Sequence, residues 1–181
     1  RSMADASCHG HSGVLASDPH IATMVTEHDS EGIGPDLVRV RALAKSRDVE
    51  GLIEELASLR EEGEILSVRA SAARLLGEIG DRRATPHLVA LLRDPNDLVR
   101  TAAAAALGQL GDAAALPDLI RALDDASPLV TMWSASSLGR IRDPTAIEAL
   151  MRLLESDDWP IRRSAAEALG EIGDPRAASA L

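Results

Sequence analysis

A short motif recurs four times along this sequence at a constant spacing of 31 residues, and it constrains the fold more than any other feature. Each copy reads Leu-Gly, a variable residue, Ile or Leu, Gly or Arg, and Asp. The copies occupy residues 76–81, 107–112, 138–143 and 169–174. A fixed period in the range of roughly 20–50 residues is typical of solenoids, in which each repeat stacks on the next.

Each copy has the chemistry of a turn between two helices. The Leu and Ile complete an apolar helical face. The second Gly, as in Gly80, suits the left-handed conformation that ends a helix, because it has no Cβ. The next residue, as in Asp81, suits the N-cap of a second helix. Pro144 and Pro175 follow at the first helical position, where the missing N–H costs nothing. The motif therefore predicts helix, sharp turn, helix.

The sequence between the motifs predicts an all-α, right-handed α-solenoid of about five two-helix repeats, an armadillo/HEAT-like superhelix, over residues 35–181. The first repeat, 35–62, lacks the glycines, and Ser46-Arg47-Asp48 forms its turn. A fifth repeat ends at Leu181. Leucines at helical spacing predict a core stripe on each second helix. These stripes are Leu88, Leu91 and Leu92; Leu119, Ala122 and Leu123; and Leu150, Leu153 and Leu154.

The composition excludes several classes of protein. Aromatic residues make up 1% of the chain, with no Phe and no Tyr, so the core must be built from aliphatic side chains. One cysteine, Cys8, rules out an internal disulfide framework and fits a reducing compartment, so we expect a cytoplasmic protein. The net charge of −10 argues against a nucleic-acid partner. No apolar run approaches the roughly 20 residues of a membrane helix, so we expect no membrane partner.

Residues 1–34 show no sustained period, and we predict a mostly disordered tail. Arg1 and Ser2, before Met3, resemble a cloning remnant. The tail has no basic segment followed by an apolar one, so it does not read as a signal peptide. Residues 8–11, Cys-His-Gly-His, are of metal-ligand type. Because no defined fourth ligand supports them, we predict no physiological metal and no cofactor.

Residues 161–177 resemble the HEAT-like repeats of phycobilisome bilin lyases and of many bacterial proteins. The resemblance is strong over residues 64–181 and weak over 35–63. It implies the solenoid fold. It implies less about function, since similar repeats serve lyases, hydroxylases, DNA binders and scaffolds.

One enzymatic relative, deoxyhypusine hydroxylase, resembles this chain in its repeats and binds two irons through His-Glu pairs. The pairs fall six and five residues before the Leu of the motif. Iron requires imidazole and carboxylate ligands, and the corresponding residues here offer neither. They are Ala70-Ser71, Thr101-Ala102, Met132-Trp133 and Arg163-Ser164. We therefore do not predict this activity.

The resemblance to bilin lyases leaves a second hypothesis open. The repeats hold no Ser-His-Asp or Cys-His arrangement within one plane, so we predict that the chain is not an enzyme. Similar lyases are two-subunit assemblies. The alternative is therefore a non-catalytic or partial subunit of a bilin lyase-like enzyme. A similarity to HEAT-like DNA glycosylases implies a basic surface, which the net charge contradicts.

The fourth repeat departs from its neighbours. Thr131 stands where repeats two, three and five have Arg69, Arg100 and Arg162, and Arg142 replaces the turn glycine. Trp133 either fills volume in the core or anchors a partner on the groove side, as the iron-binding relatives imply. Trp159, which precedes Pro160, is expected to act as a hydrophobic staple. We expect the repeated Asp and Arg residues to form caps and inter-repeat ion pairs, outside any binding site.

From this pattern we predict a scaffold that binds a protein or peptide on a concave face built mainly by the second helices. For any one residue, a solvated helix surface is the simpler interpretation. The candidate contacts are Met132, Trp133, His87, Ala90, Asp118, Arg121, Ala149 and Arg152. An apolar edge in the last repeat, with Leu169, Ile172 and Leu181, is expected to support a homodimer.

Overall fold

A computed structural model describes residues 35–58 and 65–176. The predicted tail, with its Cys-His-Gly-His segment, lies outside the described residues, as does Leu181. The described residues form α-helices and short 3-10 turns, with no strand among them. The α-helices are α1 (Pro35–Lys45), α2 (Val49–Ser58), α3 (Ile65–Ile79), α4 (Thr85–Leu91), α5 (Asp97–Leu110), α6 (Leu116–Arg121), α7 (Pro128–Ile141), α8 (Ile147–Leu153) and α9 (Trp159–Ile172).

The helices alternate as predicted, which confirms an all-α solenoid of helical repeats. The first helices of the repeats are α1, α3, α5, α7 and α9, and the second helices are α2, α4, α6 and α8. From α3 onward the first helices have 14 or 15 residues, whereas α4, α6 and α8 have six or seven. Each of these short helices is preceded by a 3-10 turn that the sequence pattern does not predict.

The turns between helices have the predicted chemistry. Gly111 ends α5 with φ 59° and ψ 30°, and Arg142 ends α7 with the same angles. The carboxylate of Asp112 accepts a hydrogen bond from the backbone N–H of Ala114 at 3.1 Å. Asp81 accepts in the same way from Arg83 at 2.9 Å. Each carboxylate bonds to the backbone N–H two residues further on, and this cap begins a 3-10 turn.

Small residues allow the first helices to pack closely. A Cβ added to Gly108 would lie 2.3 Å from the Oγ of Ser137 on the next first helix. A Cβ on Gly139 would lie 2.7 Å from the Cα of Ala168. From α3 onward, contacts between successive first helices are the most extensive in the described fold, and no two successive second helices of the described residues approach as closely. Ala and Gly thus bring this side of the repeats together.

The predicted core stripes are confirmed. Six of the predicted leucine-stripe residues are buried, and Leu91, Leu153 and Leu154 are half-buried against the same cluster. One expectation about the last repeat is wrong: Leu169 is 1% exposed and belongs to the core, so it cannot form an apolar edge. Ile172 is half-buried and also packs against the core. The packing of α9 on α7 and α8 covers this side of the helix.

Candidate interaction surface

Two outward surfaces hold the candidate residues. The second-helix surface is formed by the outward side chains of α4, α6 and α8. The first-helix surface is formed by those of α5, α7 and α9. We describe them separately, because they lie on different helices of each repeat.

The second-helix surface carries charged side chains. His87 and Ala90 are exposed on α4, and Arg121 and Arg152 are exposed on α6 and α8. Asp118 is half-buried and accepts hydrogen bonds from Arg121 Nη1 at 2.7 Å and from Arg93 Nη2 at 3.1 Å. Part of the charge on this surface is therefore already neutralised within the chain.

Ala149 does not belong to the exposed set. It occupies the same repeat position as His87 and Asp118, but it is 6% exposed and lies in the buried apolar cluster. Helix α8 packs against α9, and a single methyl group cannot extend past the side chains around it. The expectation that Ala149 contacts a partner is wrong for this reason.

Met132 and Trp133 lie on the first-helix surface, and both are half-buried. Trp133 packs against the core cluster. The volume-filling interpretation of Trp133 therefore accounts for the packed part of its ring. The exposed part leaves the partner-anchoring interpretation as a proposal.

An Arg–Asp ion pair links the first helix to the loop at the end of the repeat in the second and third repeats. Arg100 donates to both carboxylate oxygens of Asp125 at 2.8 Å and to the carbonyl of Asp94 at 2.8 Å. Arg69 pairs with Asp94 one repeat earlier. Both pairs span 25 residues, a constant spacing that the sequence analysis could have detected. The predicted structural role of these arginines is confirmed.

The pKa of Asp125 shows the strength of this contact. Burial raises the pKa of the Asp125 carboxyl, but hydrogen bonds from Arg100 and from the backbone N–H of Ser127 lower it more. The net pKa lies below the usual value. The ion pair therefore favours the charged form of this carboxylate.

The fourth repeat lacks both members of the pair. Thr131 and Ser156 stand at the positions of the Arg and the Asp. The Thr131 hydroxyl lies 3.4 Å from the carbonyl oxygen of Asp125 and 3.5 Å from that of Ser127, at the limit of a hydrogen bond. Met132 and Trp133 follow directly, so the missing pair and the large apolar side chains occur together.

Trp159 does not form the expected staple. A staple residue precedes the N-cap, whereas here Asp158 is the N-cap and Trp159 is the first helical residue. The indole is 59% exposed, and the guanidinium of Arg163 lies 5.7 Å from its ring centroid. The ring therefore lies along the outside of α9, in a cation–π contact.

Three large apolar side chains lie exposed at the starts of successive first helices. Leu98 is 59% exposed on α5, Leu129 is 43% exposed on α7, and Trp159 is 59% exposed on α9. We call these three residues the apolar ridge. The sequence analysis missed Leu98 and Leu129, although each precedes a core valine at the repeat spacing of 31 residues.

The part of the chain that the structure describes holds neither a candidate membrane span nor a metal-binding cluster. None of its helices combines the length and apolar character needed to cross a membrane. Among the same residues, no group of three or more His, Cys, Asp or Glu side chains is arranged to hold a metal ion.

Helix pairs stacked at a constant period, with outward side chains that vary between repeats, define a helical-repeat solenoid. The sequence profile of the HEAT repeats matches residues 49–139 and 117–181. The chain therefore belongs to the HEAT-repeat family, which confirms the resemblance seen in its sequence. No curated protein matches the chain.

Two solved proteins, a hydroxylase and an engineered protein, share the fold of this chain. Human deoxyhypusine hydroxylase in complex with glycerol is 24% identical with a TM-score of 0.61, over 86% of this chain. The match spans 63% of the length of that hydroxylase. An engineered protein is 26% identical with a TM-score of 0.57, over 84% of this chain and 72% of its own. The complex of CpcE and CpcF of phycocyanin lyase from Nostoc sp. PCC7120 is 24% identical with a TM-score of 0.48, over 98% of this chain and 85% of its own.

Proposed function

We propose that this chain is a binding scaffold that holds a protein or peptide partner on its repeat surface. The observation that carries this proposal is the fourth repeat. There, two large apolar side chains, Met132 and Trp133, are partly exposed where the other repeats have small or polar residues. Tryptophan is enriched among residues that dominate binding energy, because it supplies a large rigid area.

The packing favours the first helices as the concave side. Stacked units curve toward the side on which they lie closer together, and here the first helices are the closer layer. We therefore propose the first-helix surface, which carries Met132 and Trp133, as the binding site in place of the second helices. The exposed side chains of Arg121 and Arg152, with His87, Ala90 and Asp118, then form a second surface to be tested separately.

The test is capture of partners from the native host, followed by mass spectrometry, with matched surface variants. Met132→Ala and Trp133→Ala are expected to lose a partner that the wild-type chain retains. Arg121→Glu and Arg152→Glu report on the second-helix surface. Each variant is first checked for an unchanged melting temperature. A partner that every one of these variants retains would contradict the proposal.

A bilin lyase-like assembly would give a different result in the same capture experiment. A protein that joins such an enzyme would co-purify with a second helical-repeat subunit or with a chromophore. Absorption of the captured material in the visible range measures the chromophore directly. Without either companion, the scaffold function stands as the better account.

Self-association is a further part of the proposal. In α3, α5 and α7 the Gly of the motif faces a small residue of the next first helix, whereas a Cβ on Gly170 of α9 would meet no other part of the described chain within 4 Å. We propose that a second copy packs on this face. Sedimentation over a range of concentrations measures the dimer, and Gly170→Glu is expected to abolish it. A chain that stays monomeric throughout excludes the dimer.

A further inference from the structure

The exposed apolar side chains of the described residues are not scattered. Of the four large ones, Leu98, Leu129 and Trp159 form the apolar ridge, and only Val38, on α1, lies elsewhere. Their helices α5, α7 and α9 pack against one another in order. Leu98 and Leu129 occupy the same position in the repeat, and Trp159 lies one residue before it. The ridge therefore crosses three successive helices at their N-terminal ends.

Met132 extends the ridge along α7. It lies three residues after Leu129, and residues three apart are neighbours on a helix surface. Arg163, the residue that the Trp159 ring covers, occupies the same repeat position on α9 as Met132 on α7. The indole thus lies over the position of α9 that is equivalent to Met132 of α7.

Carboxylates border the ridge. Asp124, which ends the 3-10 turn before α7, and Asp157, in the loop before α9, are exposed. Asp97 and Asp158 are half-buried at the starts of α5 and α9. Acidic residues at helix N-termini also stabilise the helices, so they would not indicate a ligand by themselves. Next to the exposed apolar ridge, however, they favour a positively charged ligand.

We propose that the apolar ridge binds a basic amphipathic helix from a partner protein. The apolar face of that helix would cover Leu98, Leu129 and Trp159, and its lysines or arginines would face the bordering carboxylates. This inference rests on the proposed scaffold function and specifies the chemistry of the partner. An acidic helix would be repelled by these carboxylates, and a neutral helix would partly desolvate them without supplying a cation, which disfavours both.

The spacing of the ridge fits such a helix. Packed helices lie about 8–10 Å apart, so the three anchor positions recur at about that distance. Seven residues of an α-helix advance about 10 Å. A helix lying across the ridge would therefore present an apolar residue about every seventh position, and about 15 residues would reach all three anchors.

The tryptophan content supplies a direct measurement. The chain has two Trp and no Tyr, so in the Trp133→Phe variant Trp159 is the only strong fluorophore. The probe is an 18-residue peptide with leucines at helical seven-residue spacing, lysines elsewhere and no aromatic residue. Binding is expected to shift the Trp159 emission to shorter wavelength as the indole is buried. Affinity is expected to fall as salt is raised.

Two matched comparisons test the site. In the same background, Leu129→Asp is expected to weaken binding roughly tenfold or more, because it removes a central anchor. Val38→Asp alters an equally exposed apolar residue on α1 and is expected to bind as the parent does. Asp at the second position of α7 is compatible with the fold, because a helix N-terminus favours a negative charge. A second peptide with Glu in place of Lys is expected not to bind.

The inference is overturned if the lysine peptide leaves the Trp159 emission unchanged, if both peptides bind equally, or if Leu129→Asp binds as tightly as Val38→Asp. Capture of host partners by the surface variants separates failure of the ridge proposal from failure of the scaffold function. A host partner lost by Arg121→Glu or Trp133→Ala, but retained by Leu129→Asp, leaves the scaffold function intact and excludes the ridge as its site.

Discussion

Gly139 of α7 and Ala168 of α9 approach so closely that a Cβ on the glycine would lie 2.7 Å from the Cα of the alanine. At the equivalent glycine of α9, Gly170, no other part of the described chain lies within 4 Å of such a Cβ. One sequence motif thus carries two different packing constraints, depending on whether another first helix lies against it.

This difference predicts opposite effects of the same substitution. Gly139→Ala forces two backbones apart and is expected to destabilise the protein by about 1–3 kcal/mol. Gly170→Ala adds a methyl group in open space inside a helix and is expected to stabilise by up to about 1 kcal/mol, the helix-propensity difference. Denaturant unfolding followed by circular dichroism measures both. A similar loss in the two variants would contradict the packing account.

The Arg100–Asp125 pair is expected to show strong coupling in a double-mutant cycle. The variants are Arg100→Met and Asp125→Asn, alone and together. Both side chains are largely buried, so we expect a coupling free energy of about 1–3 kcal/mol. The exposed Arg93–Asp118 pair is the control, with an expected coupling below about 1 kcal/mol. Equal coupling in the two pairs would show that burial does not govern this contact.

Stability is expected to fall in acid because of the capping carboxylates. The hydroxyl of Thr85 and the backbone N–H of Ala114 hold the pKa of Asp112 below its usual value. A lowered folded-state pKa contributes stability that is present above the unfolded value of about 3.9 and is lost as pH falls through the folded pKa. The free energy of unfolding should be level between about pH 7 and 5 and decline below about pH 4.

Thr85→Val isolates the contribution of Asp112 to this acid loss. It removes the hydroxyl that bonds to Asp112 Oδ2 at 2.7 Å, so the decline at low pH should become shallower. Unfolding by urea at a series of pH values measures it. An unchanged slope would mean that other carboxylates dominate.

Arg142 adopts a backbone conformation that favours glycine, and this predicts a stabilising substitution. The left-handed region costs a non-glycine residue about 1 kcal/mol. Arg142→Gly is therefore expected to raise stability, by less than this amount because glycine also loosens the unfolded chain. Gly111→Arg places an arginine at the same angles in the third repeat and should lower stability. Thermal melts of the two variants should move in opposite directions.

The sequence alone determined the repeat architecture of this protein. The 31-residue spacing, the glycine and aspartate of each turn and the leucine stripes predicted the helix pairs, the caps and the core. These features depend on neighbours in the chain, or on the identical environment that each repeat gives to the same position. The sequence pattern within one repeat was therefore sufficient to predict them.

Only the tertiary structure decided which outward residues are accessible. Ala149, Asp118 and His87 share one repeat position, yet they range from buried to exposed, because the elements packed around each differ. Trp159 is exposed because α9 begins at that residue, two positions earlier than a staple would require. The apolar ridge spans three helices that lie far apart in the chain and side by side in space. Whether surface residues form one continuous patch depends on how the repeats stack, and the sequence pattern within a single repeat does not show this.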